Sequence, residues 1–432
     1  MTNRLFVRLG TGVCLAAIAG GVAFASAAET AEGAARDAAG SPLTIDRAIA
    51  LALAHNPRVA AREAAVRAAT GREHQAGVLP NPEIEAEVED IGVSGGEHGF
   101  DASIYTVRAA QTIELGGKRA KRRRVAGLET EITDWDLAAI RLDLITEVKG
   151  RFIDLLAAQE RLRVVAGAYD LGGKVRAVAA ERVKSGKVPA LELTKANVEL
   201  TGRRVELRRA ERELAAAQTA LGALWNASLA ECLALRARGQ LRQNPNLQAT
   251  EVLARRLGAN PDLARWNSEE NLAEAALTRE KAARISDVTL SAGLSHEQMS
   301  GKQKVLFAVS LPLPLFDRNK GNIDVARAEL DRVREKRSAT QIRLRAELAG
   351  QWQELQAALE ETAAIQNEML PGAREAFDAA EEAYRSGKLE YLDVLDAQQT
   401  LFEAEMQLLE ALTTLHQKAI GIERLAGGDL HE

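Results

Sequence analysis

The chain contains one pattern twice, and this internal repeat limits the possible folds more than any other feature. Three short segments return in the same order about 200 positions later. Residues 56–57, 107–115 and 185–193 correspond to residues 260–261, 307–315 and 386–394. Such matches at nearly one offset predict a tandem duplication. Each copy holds one short strand pair and very long helices, so a single copy cannot close a core alone.

The N-terminus has the pattern of an export signal. Two arginines precede the apolar run of residues 13–24, and the small residues 25–27 follow it. A basic region, a short apolar region and a small-x-small cleavage site predict a signal peptide over residues 1–27. The run is too short for a spanning helix, although a buried N-terminal helix is the alternative. Residues 28–42 are expected to form a flexible leader.

The overall composition argues against several functional classes. Aromatic residues make up 4% of the chain and the net charge is −5. The abundance of Ala, Leu, Arg and Glu favours long helices over a globular enzyme core, and a nucleic-acid binder would usually be basic. The six His residues show no Cys/His pairing at metal-ligand spacing, and no nucleophile–base pattern occurs. We therefore expect no catalysis, no cofactor, no resident metal and no nucleic-acid partner.

Four segments alternate between polar and apolar residues, which predicts strands. Ile84, Ala86 and Val88 alternate with glutamates in the first segment. The second segment covers residues 105–115, and the second copy repeats the pair at residues 288–294 and 307–313. The chain is therefore expected to be mainly α with a small β part.

The remaining pattern is helical. Asn56-Pro57 and Asn260-Pro261 predict helix starts, because Asn caps a helix and Pro suits its first turn. After each strand pair the sequence predicts an antiparallel helical hairpin on the order of 100 Å long. The first hairpin turns at the Ser-Gly-Lys of residues 185–187 and the second at residues 386–388. Gly172-Gly173 and Pro371-Gly372 are expected to interrupt the descending helices.

These patterns divide the chain after the leader into four parts. The first repeat is predicted over residues 43–226 and the second over residues 251–425. Residues 227–250 are expected to be a linker, and residues 426–432 a C-terminal tail.

The strands suggest a pore that one chain cannot build. Their length of about ten residues suits an outer-membrane strand. Four strands cannot close a barrel, and an eight-stranded barrel is filled by its own side chains. A water-filled conduit therefore requires three chains and twelve strands, with the helical hairpins forming an α-barrel beneath. The alternative is a pair of soluble hairpins on an elongated coiled-coil protein.

The ordered motifs resemble the TolC family of outer-membrane efflux channels over about residues 43–425. The resemblance depends on both Asn-Pro pairs, both Ser-Gly-Lys turns, QTIELGGKR at residues 111–119 and SLPLPLFDR at residues 310–318. The PLPLFDRN stretch is most similar to the cobalt–zinc–cadmium resistance branch.

This resemblance implies an outer-membrane homotrimer that extends into the periplasm of a Gram-negative bacterium. It would conduct substrate, with heavy-metal cations favoured, from a periplasmic adaptor and an inner-membrane pump of the resistance–nodulation–division class. Drugs and secreted polypeptides remain alternative substrates. A periplasmic adaptor and an exported hydrolase are competing classes, but an adaptor would not need two strand pairs.

The resemblance places the periplasmic end and the tunnel constriction at the two turns, with Gly186 and Gly387 at their centres. Asp393 and Asp396 share a helix face, so three copies would form acidic rings that favour cations. The alternative is that these acids only favour the positive end of a helix. Glu192 holds the place of Asp393 in the first copy. Tyr384 resembles the family's tip tyrosine.

The basic partner of this tyrosine is open in the sequence. Leu389 stands where one is expected, so Arg385 or Lys388 is the candidate.

A second group of basic residues follows the strands. We expect these side chains to contact anionic lipid head groups, or simply to form a solvated helix start. They are Lys118, Arg119, Lys121, Arg318 and Lys320.

Overall fold

The fold is described from a computed structural model that covers residues 42–92, 99–245 and 250–428, without the side chains of residues 250 and 251. The predicted signal peptide, the leader up to residue 41 and the last four residues lie outside these ranges. Among the helices described, none is long and apolar enough to cross a membrane.

The first copy has two short helices, a strand pair and a long hairpin. Its elements follow in the order α1 (Ile45–His55), α2 (Pro57–Ala76), β1 (Glu83–Glu89), β2 (Ile104–Ile113), α3 (Lys118–Lys184) and α4 (Ala190–Gly222). The predicted helices and strands of this copy are confirmed, with ends shifted by a few residues.

The second copy repeats this order. It contains α6 (Thr250–Arg256), α7 (Pro261–Ala283), β3 (Val288–Glu297), β4 (Lys302–Ser310), α8 (Lys320–Ala364), α9 (Leu370–Arg385) and α10 (Tyr391–Leu425). The last strand ends before the predicted Leu311 and Leu313. Pro312 and Pro314 explain the difference, because proline has no N–H to donate to a strand ladder.

The segment between the copies is more ordered than a plain linker. It contains α5 (Leu229–Ala234), which a Ser228–Glu231 capping box starts. Ala237 then forms a parallel bridge with Leu43, at the start of the first copy. This segment therefore packs back onto the first repeat.

The four strands form one antiparallel sheet in the order β1-β2-β3-β4. The two copies meet at the β2–β3 pair, where Arg108 lies opposite Gly293. A Cβ on Gly293 would lie 2.5 Å from the Val107 carbonyl oxygen, so a side chain cannot be accommodated here. Glycine thus permits the close approach that joins the two repeats.

The sheet has one polar and one apolar face. Side chains at paired positions of neighbouring strands share a face. One such row across the four strands is Glu85, Arg108, Gly293 and Leu306. Arg108 forms ion pairs with Glu85 and Glu87 on this polar face. The opposite face is apolar and exposed, and its most exposed members are Ile84, Val107, Leu294, Val305, Phe307 and Val309.

The two predicted helix interruptions have different outcomes. Helix α3 runs through Gly172-Gly173 without a break, because packing against its neighbours outweighs the weak helix propensity of glycine. In the second copy, Ile365–Met369 form a π-helical turn just before Pro371. Proline offers no N–H and crowds the preceding turn, which accounts for the widened helix there.

The Asn-Pro pairs anchor both copies in the same way. The Asn56 side chain caps α2 through the Arg58 amide at 2.9 Å, and Asn260 caps α7 through the Asp262 amide at 2.8 Å. The amide group of Asn56 also donates to the Leu224 carbonyl at 2.8 Å, and that of Asn260 to the Leu425 carbonyl at 2.9 Å. Each asparagine therefore ties the start of one helix to the end of its own repeat.

Candidate functional site

The hairpin tips are built by two turns of the same design. Gly186 and Gly387 adopt φ values of 69° and 77°, the left-handed region that glycine tolerates. In the first turn the amides of residues 186 and 187 donate to the carbonyls of Val183 and Arg182. The second turn has the same two bonds, to Tyr384 and Ala383. This is the Schellman pattern, and it reverses the chain sharply at both tips.

A buried aromatic pair lies above the second turn. Tyr384, at the end of α9, and Tyr391, at the start of α10, are each only 3% exposed. Their ring centroids are 6.3 Å apart in an edge-to-face arrangement. They belong to an apolar cluster with Val175, Ala196 and Phe377. The tip of the chain is therefore held by side chains of both hairpins.

The cation beside Tyr384 comes from the first copy. The guanidinium carbon of Arg182 lies 4.4 Å from the centre of the Tyr384 ring, within cation–π range. Within one chain, this contact is made by Arg182 and not by the two candidates named from the sequence, Arg385 and Lys388. Arg385 pairs with Glu381 at 2.7 Å on its own exposed helix face, and Lys388 is exposed within the turn.

Three polar atoms in this cluster are buried without hydrogen bonds to the described residues. They belong to Arg182 (Nη1), Glu192 (Oε2) and Tyr384 (the hydroxyl). Buried polar atoms normally have partners, and leaving one without a partner costs roughly 1–3 kcal/mol. The tip thus concentrates three buried polar atoms that lack hydrogen bonds to the described residues.

Burial controls the ionisation of the two tyrosines. It raises the pKa of Tyr391 to about 12, and the negative charges of Glu199 and Glu192 act in the same direction. Burial also raises the pKa of Tyr384, where Arg182 opposes the rise and Glu192 adds to it. Both hydroxyls are therefore neutral at physiological pH.

The two aspartates of the predicted acidic ring lie on the exposed side of α10. Asp393 accepts a hydrogen bond from the Glu390 amide at 3.0 Å, as part of a capping box. Asp396 is exposed one turn further along. Asp393 therefore has a local role at the helix start, while Asp396 has its carboxylate free of any ion pair with the described residues.

The basic residues near the sheet divide into two sets. Lys118 forms an ion pair with Asp287 at 2.8 Å, and Lys121 donates to the Gly116 carbonyl at 2.7 Å. Arg119, Arg318 and Lys320 are exposed, and none of them has an ion pair with the described residues. The structure thus leaves the second set available for external contacts.

Sequence reasoning missed Arg182 and Tyr391. Arg182 lies 201 positions before Ala383, the neighbour of Tyr384, so the repeat offset places it at the right height. The repeat itself therefore carried a signal for this contact. Within the described ranges, no three His, Cys, Asp or Glu side chains are grouped as metal ligands.

Comparison with known proteins adds a family to this geometry. Residues 48–227 and 252–428 match the family model described as outer membrane efflux protein. The chain is 33% identical over 395 residues to the cobalt-zinc-cadmium resistance protein CzcC of Cupriavidus metallidurans, and the match covers 91% of each protein.

Two further similarities are more distant. The pyoverdine export outer membrane protein OpmQ of Pseudomonas aeruginosa is 25% identical, over 89% of this chain and 85% of that protein. The solved structure of the outer membrane protein VceC from Vibrio cholerae has a TM-score of 0.74 at 18% identity, covering 90% of this chain and 97% of VceC. The last similarity supports the fold.

Proposed function

The chain belongs to the outer membrane efflux protein family, as its TolC-like motifs predict, and we propose that it is the channel subunit of a tripartite efflux system for heavy-metal cations. It is located in the outer membrane and extends into the periplasm. The observation that carries the substrate proposal is the 33% identity to a cobalt-zinc-cadmium resistance protein over 91% of both chains.

The sheet supports a trimeric barrel. One chain supplies four strands with an exposed apolar face and an opposite face that carries the Arg108–glutamate pairs. Strands of outer-membrane barrels alternate in this way between lipid and a polar interior. Three chains give twelve strands, with the apolar face towards lipid and the polar face towards the pore. Arg119, Arg318 and Lys320 would then contact lipid head groups at the base of the apolar belt.

The hairpins support a conduit below the sheet. Helix α3 has 67 residues, which corresponds to a length of about 100 Å. Three pairs of such hairpins side by side form the helical tunnel. Its tips face the periplasmic adaptor and the proton-driven pump of the resistance–nodulation–division class. Substrate selection belongs to that pump, while this chain conducts passively.

The tips are proposed to gate the conduit. Three copies of Asp396, with Asp393 beside it, surround the axis and favour cations in the closed channel. We expect trimers of Asp396→Ala to lose cation preference in a planar bilayer, and Asp393→Ala to change preference and helix-start stability together. Unchanged ion preference and unchanged resting conductance in both variants would remove the gating role.

A deletion strain tests the substrate. We expect it to become sensitive to zinc, cobalt or cadmium and to regain resistance when the gene is restored. Organic solutes are the second candidate, because the OpmQ relative is named for pyoverdine export. Sensitivity to hydrophobic drugs or loss of siderophore export, with unchanged metal tolerance, would favour that candidate instead.

A further inference from the structure

A cavity lies part-way along the hairpins, between α3, α10 and the segment that joins the two copies. Its volume is about 700 Å³, which is within the range of binding sites for small organic ligands. Helical rise places Glu160, on its wall, about 40 Å from the first tip turn and about 60 Å from the start of α3 beside the sheet. The cavity is therefore separate from the tip cluster and from the sheet.

The floor of the cavity is apolar. It is formed by side chains of two helices that belong to different copies, and each of them is at most 9% exposed. They are Leu156 and Val164 of α3 and Leu408, Leu409 and Leu412 of α10. Such a floor favours a ligand with a hydrocarbon or aromatic body, because binding removes apolar surface from water.

Another wall is a stretch of backbone that hydrogen bonds hold at two points. Gln159 accepts from the Ala237 amide at 2.8 Å and donates to the Ala237 carbonyl at 3.0 Å. The His416 ring lies 2.9 Å from the Leu241 carbonyl oxygen. The connecting segment is thus fixed to α3 at one point and to α10 at the other, so the cavity is already formed before a ligand enters.

Charged side chains also line the cavity, as four arginines and two glutamates. Both glutamates are already paired. Glu160 accepts from Arg163 at 2.6 Å, and Glu405 pairs with Arg374 at 3.3 Å. The hydrogen bond from Arg163 holds the pKa of Glu160 below its usual value, so this pair stays charged on both sides at neutral pH.

Two of the arginines have charge that the described residues do not fully neutralise. Arg238 is exposed and has no ion pair with the described residues. Arg242 is 53% exposed, and its ion pair with Glu160 is long, at 3.7 Å. Guanidinium groups bind carboxylate and phosphate oxygens through paired hydrogen bonds. The cavity therefore combines an apolar floor with cationic groups suited to an anion.

We propose that this cavity binds a small amphipathic organic anion, with its apolar chain or ring on the leucine floor and its carboxylate or phosphate group paired with Arg238 and Arg242. The ligand is distinct from the proposed cargo. It would contact α3, α10 and residues 236–242 at once, so its binding stabilises the packing between the two copies.

Photoaffinity labelling tests the site. The probe is an octanoate with a diazirine near the end of its chain, added to the purified full-length protein in an uncharged detergent. We expect labelling to be concentrated in peptides that contain residues 236–242 and 405–412. Arg238→Gln combined with Arg242→Gln should lower this labelling at least about fivefold, because the anionic head group loses its charged hydrogen-bond donors.

Two matched controls isolate the role of charge. Arg204→Gln removes an exposed arginine of α4 that does not line the cavity and has no ion pair with the described residues, so it should leave the labelling unchanged. The methyl ester of the probe has the same chain without the anionic group. It should label the cavity peptides at least about fivefold less than the octanoate probe.

Competition identifies the head group and the source of the ligand. Displacement of the probe by unlabelled octanoate indicates a free carboxylate, and displacement by a lysophosphatidate indicates a lipid phosphate; either supports the site. Displacement by neither, or equal labelling of the wild type and the double arginine variant, would overturn it. Labelling that appears only after deletion of residues 28–41 would show that this segment occupies the cavity, and would overturn the small-molecule site as well.

Thermal unfolding provides a second readout that needs no label. We expect octanoate to raise the melting temperature of the wild type and of Arg204→Gln alike, since a ligand that binds the folded state stabilises it. The variant that lacks both Arg238 and Arg242 should show no rise. Equal rises in all three proteins would contradict binding at this cavity.

Discussion

The two copies can be compared residue by residue at their junctions and at their tips. At the junctions they are nearly the same. Asn56 and Asn260 are both buried, both cap a helix and both hold the end of their own repeat. The carbonyls they bind, on Leu224 and Leu425, are 201 positions apart, which is also the offset of the tip turns.

The charges around the junctions are reversed. Arg58 follows the first asparagine and pairs with Glu147 at 2.8 Å. Asp262 holds the corresponding place in the second copy and pairs with Arg424, also at 2.8 Å. The hydrogen bonds were kept because buried polar groups must be satisfied, whereas an ion pair can form with either sign at these positions.

At the tips the copies differ in kind. Tyr384 and Tyr391 of the second copy stand where the first copy has Val183 and Ala190. The first copy instead contributes Arg182, which lies over the Tyr384 ring, and Glu192, whose negative charge raises the pKa of both tyrosines. The two copies therefore share the same junction hydrogen bonds, but at the tips one copy supplies the charged side chains and the other the aromatic ones.

The largest expected difference between the copies is in aromatic packing at the tip. Tyr384→Ala should weaken the tip by about 3–5 kcal/mol, because a large buried side chain is removed. Val183→Ala, its counterpart in the first copy, should cost about 1 kcal/mol, since it shortens a half-buried side chain. Hydrogen exchange of the tip peptides measures both. Equal protection in the two variants would show that the tips are energetically alike.

The junctions should respond more evenly. Asn260→Ala is expected to cost about 3 kcal/mol and Asn56→Ala about 2 kcal/mol, because each loses a cap and leaves buried carbonyls unpaired, two of them in the second copy. Thermal unfolding of the solubilised protein checks the order.

A further variant separates the capping role of Asn260 from its hydrogen bonds to the end of the repeat. Asn260→Asp keeps the capping oxygen but removes the NH₂ that binds the Arg424 and Leu425 carbonyls. We expect it to be as damaging as alanine. Near wild-type stability for this variant would reduce the junction to a simple cap.

Alkaline pH should act on the second tip. The folded-state pKa of Tyr391 is raised to about 12 from an ordinary value of 10. The contribution of neutral Tyr391 to the free energy of unfolding is therefore complete below pH 10, and it is lost as the pH rises towards 12. Tyrosinate absorbance at each pH can resolve this, because the chain has only four tyrosines. Tyr391→Phe should remove the group that titrates last and leave Tyr384, whose pKa is also raised, and an unchanged titration would place the last-titrating group elsewhere.

The smallest contrast concerns the basic residues near the sheet. Lys118→Met should cost about 1 kcal/mol, since it breaks a partly buried pair with Asp287. Lys320→Met, in the second copy, should change stability by less than about 0.5 kcal/mol. If lipid contact dominates instead, Lys320→Met will weaken binding to anionic vesicles while stability stays the same.

Much of the fold could be predicted because the strongest signals are local. The Asn-Pro caps, the Gly turns and the alternation in the strands act within a few residues, and these elements are confirmed. Predictions that depended on contacts with distant segments, or on exact element ends, were less accurate. Glycines 172 and 173 do not break α3, and β4 stops short of Leu311.

The candidate site shows the same division. The family resemblance predicted a cation beside Tyr384, with both candidates, Arg385 and Lys388, in the second hairpin. The cation, Arg182, comes from the other hairpin, 202 positions away. No local rule connects two helices that lie side by side only after folding.

The sequence by itself determined the duplication, the length of the helices, the turns and the family, because each is set by spacing along the chain. Only the tertiary structure decided which hairpin supplies the cation beside Tyr384 and which charges pair at the junctions. Those depend on contacts between segments distant in sequence, and burial at such contacts sets their energies.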